Sequence, residues 1–188
     1  MRIAQIAPPW FSVPPTGYGG IEWVVALLAD GLTDRGHLVT LFAPGGSVTK
    51  AKLVSEFADP PGGSKLGQAW FEAIQAISAY AHKDEFDIIH DHTGIVGPSI
   101  GANLRGQPPV VHTLHGPFTE QAKRIYRALS GPLHVVAISE SQRSGCPDLN
   151  YAGTVYNGID VNLYPFRTDK EDYLLFLGRI NKEKGPEI

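Results

Sequence analysis

Residues 86–116 read FDIIHDHTGIVGPSIGANLRGQPPVVHTLHG, and this stretch decides the fold. Phe86–His90 reads as a buried strand, Ile95–Leu104 as a helix and Val110–Leu114 as a second strand. Continuously apolar strands alternating with helices belong to a parallel sheet covered on both faces.

The alternation extends in both directions. Arg2–Ala7 is a short apolar run stopped by Pro8-Pro9, and a Pro/Gly/aromatic loop follows to Gly20. Ile21, Val24, Val25, Leu28 and Leu32 then recur at helical spacing to about Arg35. Gly36-His37 ends that helix, Leu38–Phe42 is the next strand, and Lys52–Phe57 is a weaker one. Leu66, Trp70, Ala73, Ile74, Ile77 and Ala81 make a second amphipathic helix. Glu120–Leu129 reads as a helix, Leu133–Ile138 as a strand, and Thr154-Val155-Tyr156 as a last short strand. The predicted class is α/β, a doubly wound, Rossmann-like parallel sheet. Ligands of such folds bind beyond the carboxyl ends of the strands.

The 188 residues suffice for one well-buried domain and not for two. A hydrophobic fraction of 43% excludes intrinsic disorder. With 16 Lys+Arg against 19 Asp+Glu and no local basic patch, nucleic-acid binding is excluded as an expectation. Cys146 is the only cysteine, so neither an intrachain disulfide nor a cysteine-clustered metal site is expected. No signal-peptide h-region opens the chain and no apolar run reaches membrane-spanning length. The expectation is a cytoplasmic protein, touching a membrane surface at most. Tyr173–Leu177 restarts a strand, and Lys184-Gly185-Pro186 looks like the opening of another βα unit. The expected division is a first domain over 1–171 and the start of a second over 172–188. An apolar strand without its sheet tends to find a partner, so a homodimer through this segment is expected.

Four places carry candidate chemistry, with Ser139-Glu140 as a weaker fifth. Gly17-Tyr18-Gly19-Gly20 feeds the first helix, where backbone amides and the positive dipole end suit a phosphate; a tight turn is the other reading. A dinucleotide fingerprint fails because Glu22 stands where the third glycine is needed, and Gly62-Gly63-Ser64-Lys65 lacks the Walker order. His90 and His92 flank Asp91 at a strand end on one face; with His112 and His115 they either chelate a metal or bond loops and ligands. No acid beyond Asp91 accompanies them, which favours the second reading. His115-Gly116 ends a strand where a ligand lies, and Ser139-Glu140 caps a helix or bonds a ligand. Arg179 and Lys184 are cations at a strand end and a helix start, able to converge on a diphosphate or to sit solvated at the surface.

These pieces fall in a family order: Gly19-Gly20-Ile21-Glu22, Gly36-His37-Leu38-Val39, Asp87 through His92, and Thr113-Leu114-His115-Gly116. Val136-Ala137-Ile138-Ser139, Asn157-Gly158-Ile159-Asp160 and Leu175 through Gly185 complete it. Together they resemble the glycosyltransferases of the GT-B fold, in the group-1 family with glycogen-synthase-like and mannosyltransferase-like members. The resemblance implies the N-terminal half of a GT-B architecture, a nucleotide-diphosphate sugar as donor and a sugar or glycosylated acceptor. It implies no cofactor and no metal, and transfer with retention. By the same resemblance, Gly19, Gly20, Arg179 and Lys184 hold the donor diphosphate, and His115 is catalytic beside the donor sugar. Asp91 and His92, with Ser139 and Glu140, face the acceptor or sugar. The family's acidic donor motif lies beyond residue 188, so the chain alone is expected to be inactive. The rival readings are a noncatalytic sugar- or nucleotide-binding module and a nucleotide-sugar epimerase.

Overall fold

The computed structural model describes residues 1–178, 180 and 184–186. Seven parallel strands form one sheet: β1 (Arg2–Ile6), β2 (Leu38–Phe42), β3 (Lys52–Val54), β4 (Ile88–Asp91), β5 (Val110–Leu114), β6 (Leu133–Ala137) and β7 (Tyr151–Thr154). Their order is β3-β2-β1-β4-β5-β6-β7. The doubly wound α/β expectation is met.

Among the described residues five helices cover the sheet: α1 (Gly20–Asp34), α2 (Ala69–Ala81), α3 (Val96–Asn103), α4 (Glu120–Leu129) and α5 (Glu140–Ser144). Side chains of a strand alternate between faces, and the two cores follow that alternation. Ile3, Ala7, Val39 and Leu41 meet Val25, Ala26 and Ala29 of α1 on one face. On the other, Ala4, Ile6, Ile89, Val110 and Leu133 meet Ala76, Ala79 and Tyr80 of α2 and Tyr126 and Leu129 of α4. At about 25 cal/mol per Å² of apolar surface removed from water, such burial is the main force behind the sheet.

The structure shifts several expected elements: β3 ends at Val54 rather than Phe57, and β4 spans Ile88–Asp91 rather than Phe86–His90. α2 starts at Ala69 rather than Leu66, because Gly67 takes φ +80°, outside helical geometry. The last strand is Tyr151–Thr154 rather than residues 154–156, its register shifting at Val135/Val136 and the Tyr151 hydroxyl bonding the Cys146 carbonyl. Tyr173–Leu177 forms no strand here and is exposed, since among the described residues no neighbouring strand offers its backbone partners.

Candidate functional site

The strand order reverses at β1, which has β2 on one side and β4 on the other. A crevice opens above the carboxyl ends at such a switch point. The loop leaving β1 enters α1 at Gly19, whose φ is +156°. A Cβ there would lie 2.7 Å from Pro15 and 2.8 Å from Oε2 of Glu22, so this turn requires glycine. Gly20 is exposed with open space where a Cβ would stand. α1 opens without a side-chain cap, an arrangement suited to an anion. Below it, burial raises the Glu22 carboxyl to about 7.

Beside this loop the histidines form a buried hydrogen-bonded cluster. Oε1 of Gln5 lies 2.9 Å from Nε2 of His92, and Nδ1 of His92 lies 3.0 Å from Nε2 of His115. Nε2 of Gln5 lies 3.4 Å from Nδ1 of His90, whose Nε2 meets the Thr113 hydroxyl at 2.8 Å. His90 and His92 do share one face, their ring centroids 4.1 Å apart. On the other face, His112 joins the Asp91 carbonyl and the Tyr126 hydroxyl, each at 3.0 Å. Burial disfavours the imidazolium throughout, holding His90 and His115 near 4, His112 near 3 and His92 well below its ordinary value. At neutral pH these rings give and accept hydrogen bonds and carry no charge. Among the described residues, no group of three or more His, Cys, Asp or Glu is arranged to hold a metal ion.

Asp91 lies deeper than a pocket wall. It is fully buried, accepts from the Thr93 amide at 2.8 Å and hydroxyl at 2.7 Å, and takes the Tyr80 hydroxyl at 3.0 Å. Burial raises it to about 6. It shapes the β4–α3 turn, while its neighbours His92 and Thr93 reach the cavity. Glycine at Gly97 and Gly101 lets α3 lie against this cluster, because a Cβ at either would strike Asp91 and Thr93 or the Tyr80 ring.

That cavity, about 300 Å³, is bounded by Ile21 of the first turn of α1, by Trp10, and by Glu72, Thr93, His92 and His115. His115 also borders a neighbouring recess of about 410 Å³ with Ser139 and Gln142. Ser139 caps α5 by accepting the Gln142 amide at 3.0 Å, and Glu140 is the exposed first residue of that helix. Lys184 is exposed, with no hydrogen bond or ion pair to the site among the described residues; Arg179 lies outside the described residues.

Three contributors escaped the sequence reading. Gln5 hides in an apolar strand, and its polarity there was the available signal. Glu72, on α2, accepts the Gly94 amide at 3.1 Å, a contact between residues 22 apart that no local pattern announces. Gln142 donates to the carbonyls of Leu114 and Gly116 on either side of His115, at 3.0 and 2.9 Å.

Residues 18–163, well over half of the chain, match the family described as Glycosyltransferase Family 4. The chain belongs to this glycosyltransferase family. Among curated proteins it is similar to the phosphatidyl-myo-inositol mannosyltransferase of Mycobacterium tuberculosis (strain CDC 1551 / Oshkosh), 27% identical over 211 residues. The match covers 98% of this chain and 53% of that protein. The enzyme of the same description from Mycolicibacterium smegmatis is 26% identical over 206 residues, covering 98% of this chain and 52% of its own. The chain thus spans about half the length of these relatives. A solved structure, that of AviGT4, a glycosyltransferase involved in avilamycin A biosynthesis, superposes with a TM-score of 0.52 at 24% identity. It covers 87% of this chain and 44% of the other, a likeness that concerns the fold. The expected N-terminal domain of a group-1 GT-B glycosyltransferase is the identity these findings support.

Proposed function

We propose that this family 4 domain serves transfer of a sugar, with retention, from a nucleotide-diphosphate sugar to a sugar or glycosylated acceptor. One observation carries the reading: the first turn of α1 and His115 line a single cavity above the switch between β1 and β4. The amide-rich entry at Gly19-Gly20 suits the diphosphate, and neutral His115 suits a donor-sugar hydroxyl. His92, Thr93 and Glu72 offer polar groups to an acceptor hydroxyl across the same space. Breaking the glycosidic bond leaves charge on the departing diphosphate, which helix amides, Arg179 and Lys184 are proposed to stabilise.

In this reading residues 1–171 are the acceptor-side domain and 172–188 begin the donor-binding domain, and the 188-residue chain alone turns over no substrate. The chain's span of about half of its relatives' length is what suggests a division of this kind. No cofactor or metal is required by the proposed chemistry. A cytoplasmic location fits a single, buried, unpaired Cys146. Among the described residues no helix is long and apolar enough to cross a membrane. Peripheral contact is proposed through α2 and its approach, where Leu66, Trp70, Ile74 and Ile77 are exposed. Self-association through Tyr173–Leu177 is proposed from the exposure of that apolar segment.

The test is a panel of nucleotide sugars offered to the full-length protein with and without candidate sugar acceptors. Release of nucleoside diphosphate from one donor, rising when an acceptor is added, supports transfer. Saturable sugar binding with no donor turned over favours the binding module instead.

A further inference from the structure

The chain of hydrogen bonds that ends at His115 starts on β1, at a side chain the proposed chemistry leaves without a task. Gln5 is fully buried and pairs in register with His90 of β4. Its amide oxygen can only accept a hydrogen bond and its NH₂ can only donate, while a neutral imidazole offers one donor and one acceptor.

The tautomers then follow in sequence. Oε1 of Gln5, 2.9 Å from Nε2 of His92, requires the proton of His92 to sit on Nε2. Nδ1 of His92 is therefore a lone pair, so Nε2 of His115, 3.0 Å away, carries its proton. That leaves Nδ1 of His115 as an acceptor, with no hydrogen-bond partner among the described residues. The second arm agrees: the NH₂ of Gln5 faces Nδ1 of His90, leaving the Nε2 proton of His90 for the Thr113 hydroxyl at 2.8 Å. Burial keeps the rings neutral, so one proton per ring is the correct count.

We infer that Gln5 is a positioning residue that acts through His92 to hold His115 as the Nε2–H tautomer, presenting Nδ1 to accept a hydroxyl hydrogen bond from a sugar. The ligand part rests on the proposed function; the tautomer chain does not. Reversing the amide reverses every proton in the relay and makes His115 a donor at Nδ1, unsuited to the same contact.

The test separates the two parts. Long-range ¹H–¹⁵N spectra of the 188-residue chain at pH 7.5 report the protonated nitrogen of each histidine. His115 protonated on Nε2, changing to a tautomer mixture in Gln5→Met, supports the inference. Protonation on Nδ1 in the wild type, or a His115 signal unmoved by Gln5→Met, overturns it; the wild-type spectrum decides alone if the variant does not fold. In the full-length protein, Gln5→Met should lower kcat about tenfold while nucleoside-diphosphate affinity stays within twofold. The expected tautomers with unchanged kcat would overturn the sugar contact at His115 and leave the relay standing.

Discussion

Gln142 holds the backbone on both sides of His115. Its Nε2 donates to the carbonyls of Leu114 and Gly116, at 3.0 and 2.9 Å, while its Oε1 accepts the Ile138 amide at 2.9 Å. One side chain of α5 thereby ties the carboxyl end of β5 to the end of β6, and the position of His115 depends on that tie.

Gln142→Leu leaves two carbonyls and one amide without this partner. Groups unpaired in partly buried places cost about 1–3 kcal/mol. A drop in melting temperature of several degrees is expected, with turnover by the full-length protein falling more than nucleoside-diphosphate affinity. Thermal unfolding and steady-state kinetics on one preparation check both parts.

The two glycines of the first loop should behave differently. Gly19→Ala drives a Cβ into Pro15 and Glu22 at a φ that side chains rarely adopt, so a loss of about 1–3 kcal/mol is expected. Gly20→Ala meets open space and should leave stability within about 0.5 kcal/mol. Its methyl group stands where the diphosphate is proposed, so donor affinity should fall at least threefold. Chemical denaturation of both variants, with donor titration of the second, distinguishes a fold requirement from a ligand requirement.

Tyr80→Phe removes the hydroxyl that donates to buried Asp91 at 3.0 Å. The two hydrogen bonds from Thr93 remain, so the fold should survive with a loss of about 1–3 kcal/mol. With one donor fewer, the Asp91 carboxyl should titrate above its present value of about 6. Carboxyl ¹³C shifts followed against pH report that change.

Stability should fall as the solution is acidified from pH 6.5 towards 4. His90, His112, His115 and His92 are held below their unfolded value, so the unfolded chain binds protons first in that window. Glu22, near 7, Asp91, near 6, and Glu72, which burial also raises, act in the opposite sense, their burial penalty appearing as pH rises. Four clustered rings outweigh three carboxyls, since charging one ring makes charging its neighbours harder. Unfolding midpoints measured at intervals across this window should decrease steadily with acid; a flat or rising profile contradicts the neutral cluster.

Much of the fold was legible because its cause is local. Apolar runs such as Leu38–Phe42 and Val110–Leu114 are strands for reasons of composition, and the helical spacing of Ile21, Val25 and Leu28 needs no distant partner. His92 and His115 were legible as candidates because they stand at strand ends, and both border one cavity. What joins them was not: Gln5 and His92 are 87 positions apart, and only the β1–β4 pairing brings them together. Asp91 was expected to face the acceptor only by the family resemblance, yet strand alternation turns it inward to Tyr80. The exposure of Tyr173–Leu177 shows the complementary limit, since an apolar run becomes a strand only beside another strand.

The most direct measurement is His115→Ala in the full-length protein, with kcat, nucleoside-diphosphate affinity and melting temperature taken from one preparation. A group that touches the sugar rather than the nucleotide acts when the glycosidic bond breaks, so kcat should fall at least tenfold while affinity and melting temperature hardly move. An unchanged kcat, or a loss fully accounted for by unfolding, would remove His115 from the reaction and contradict the transferase site built around it.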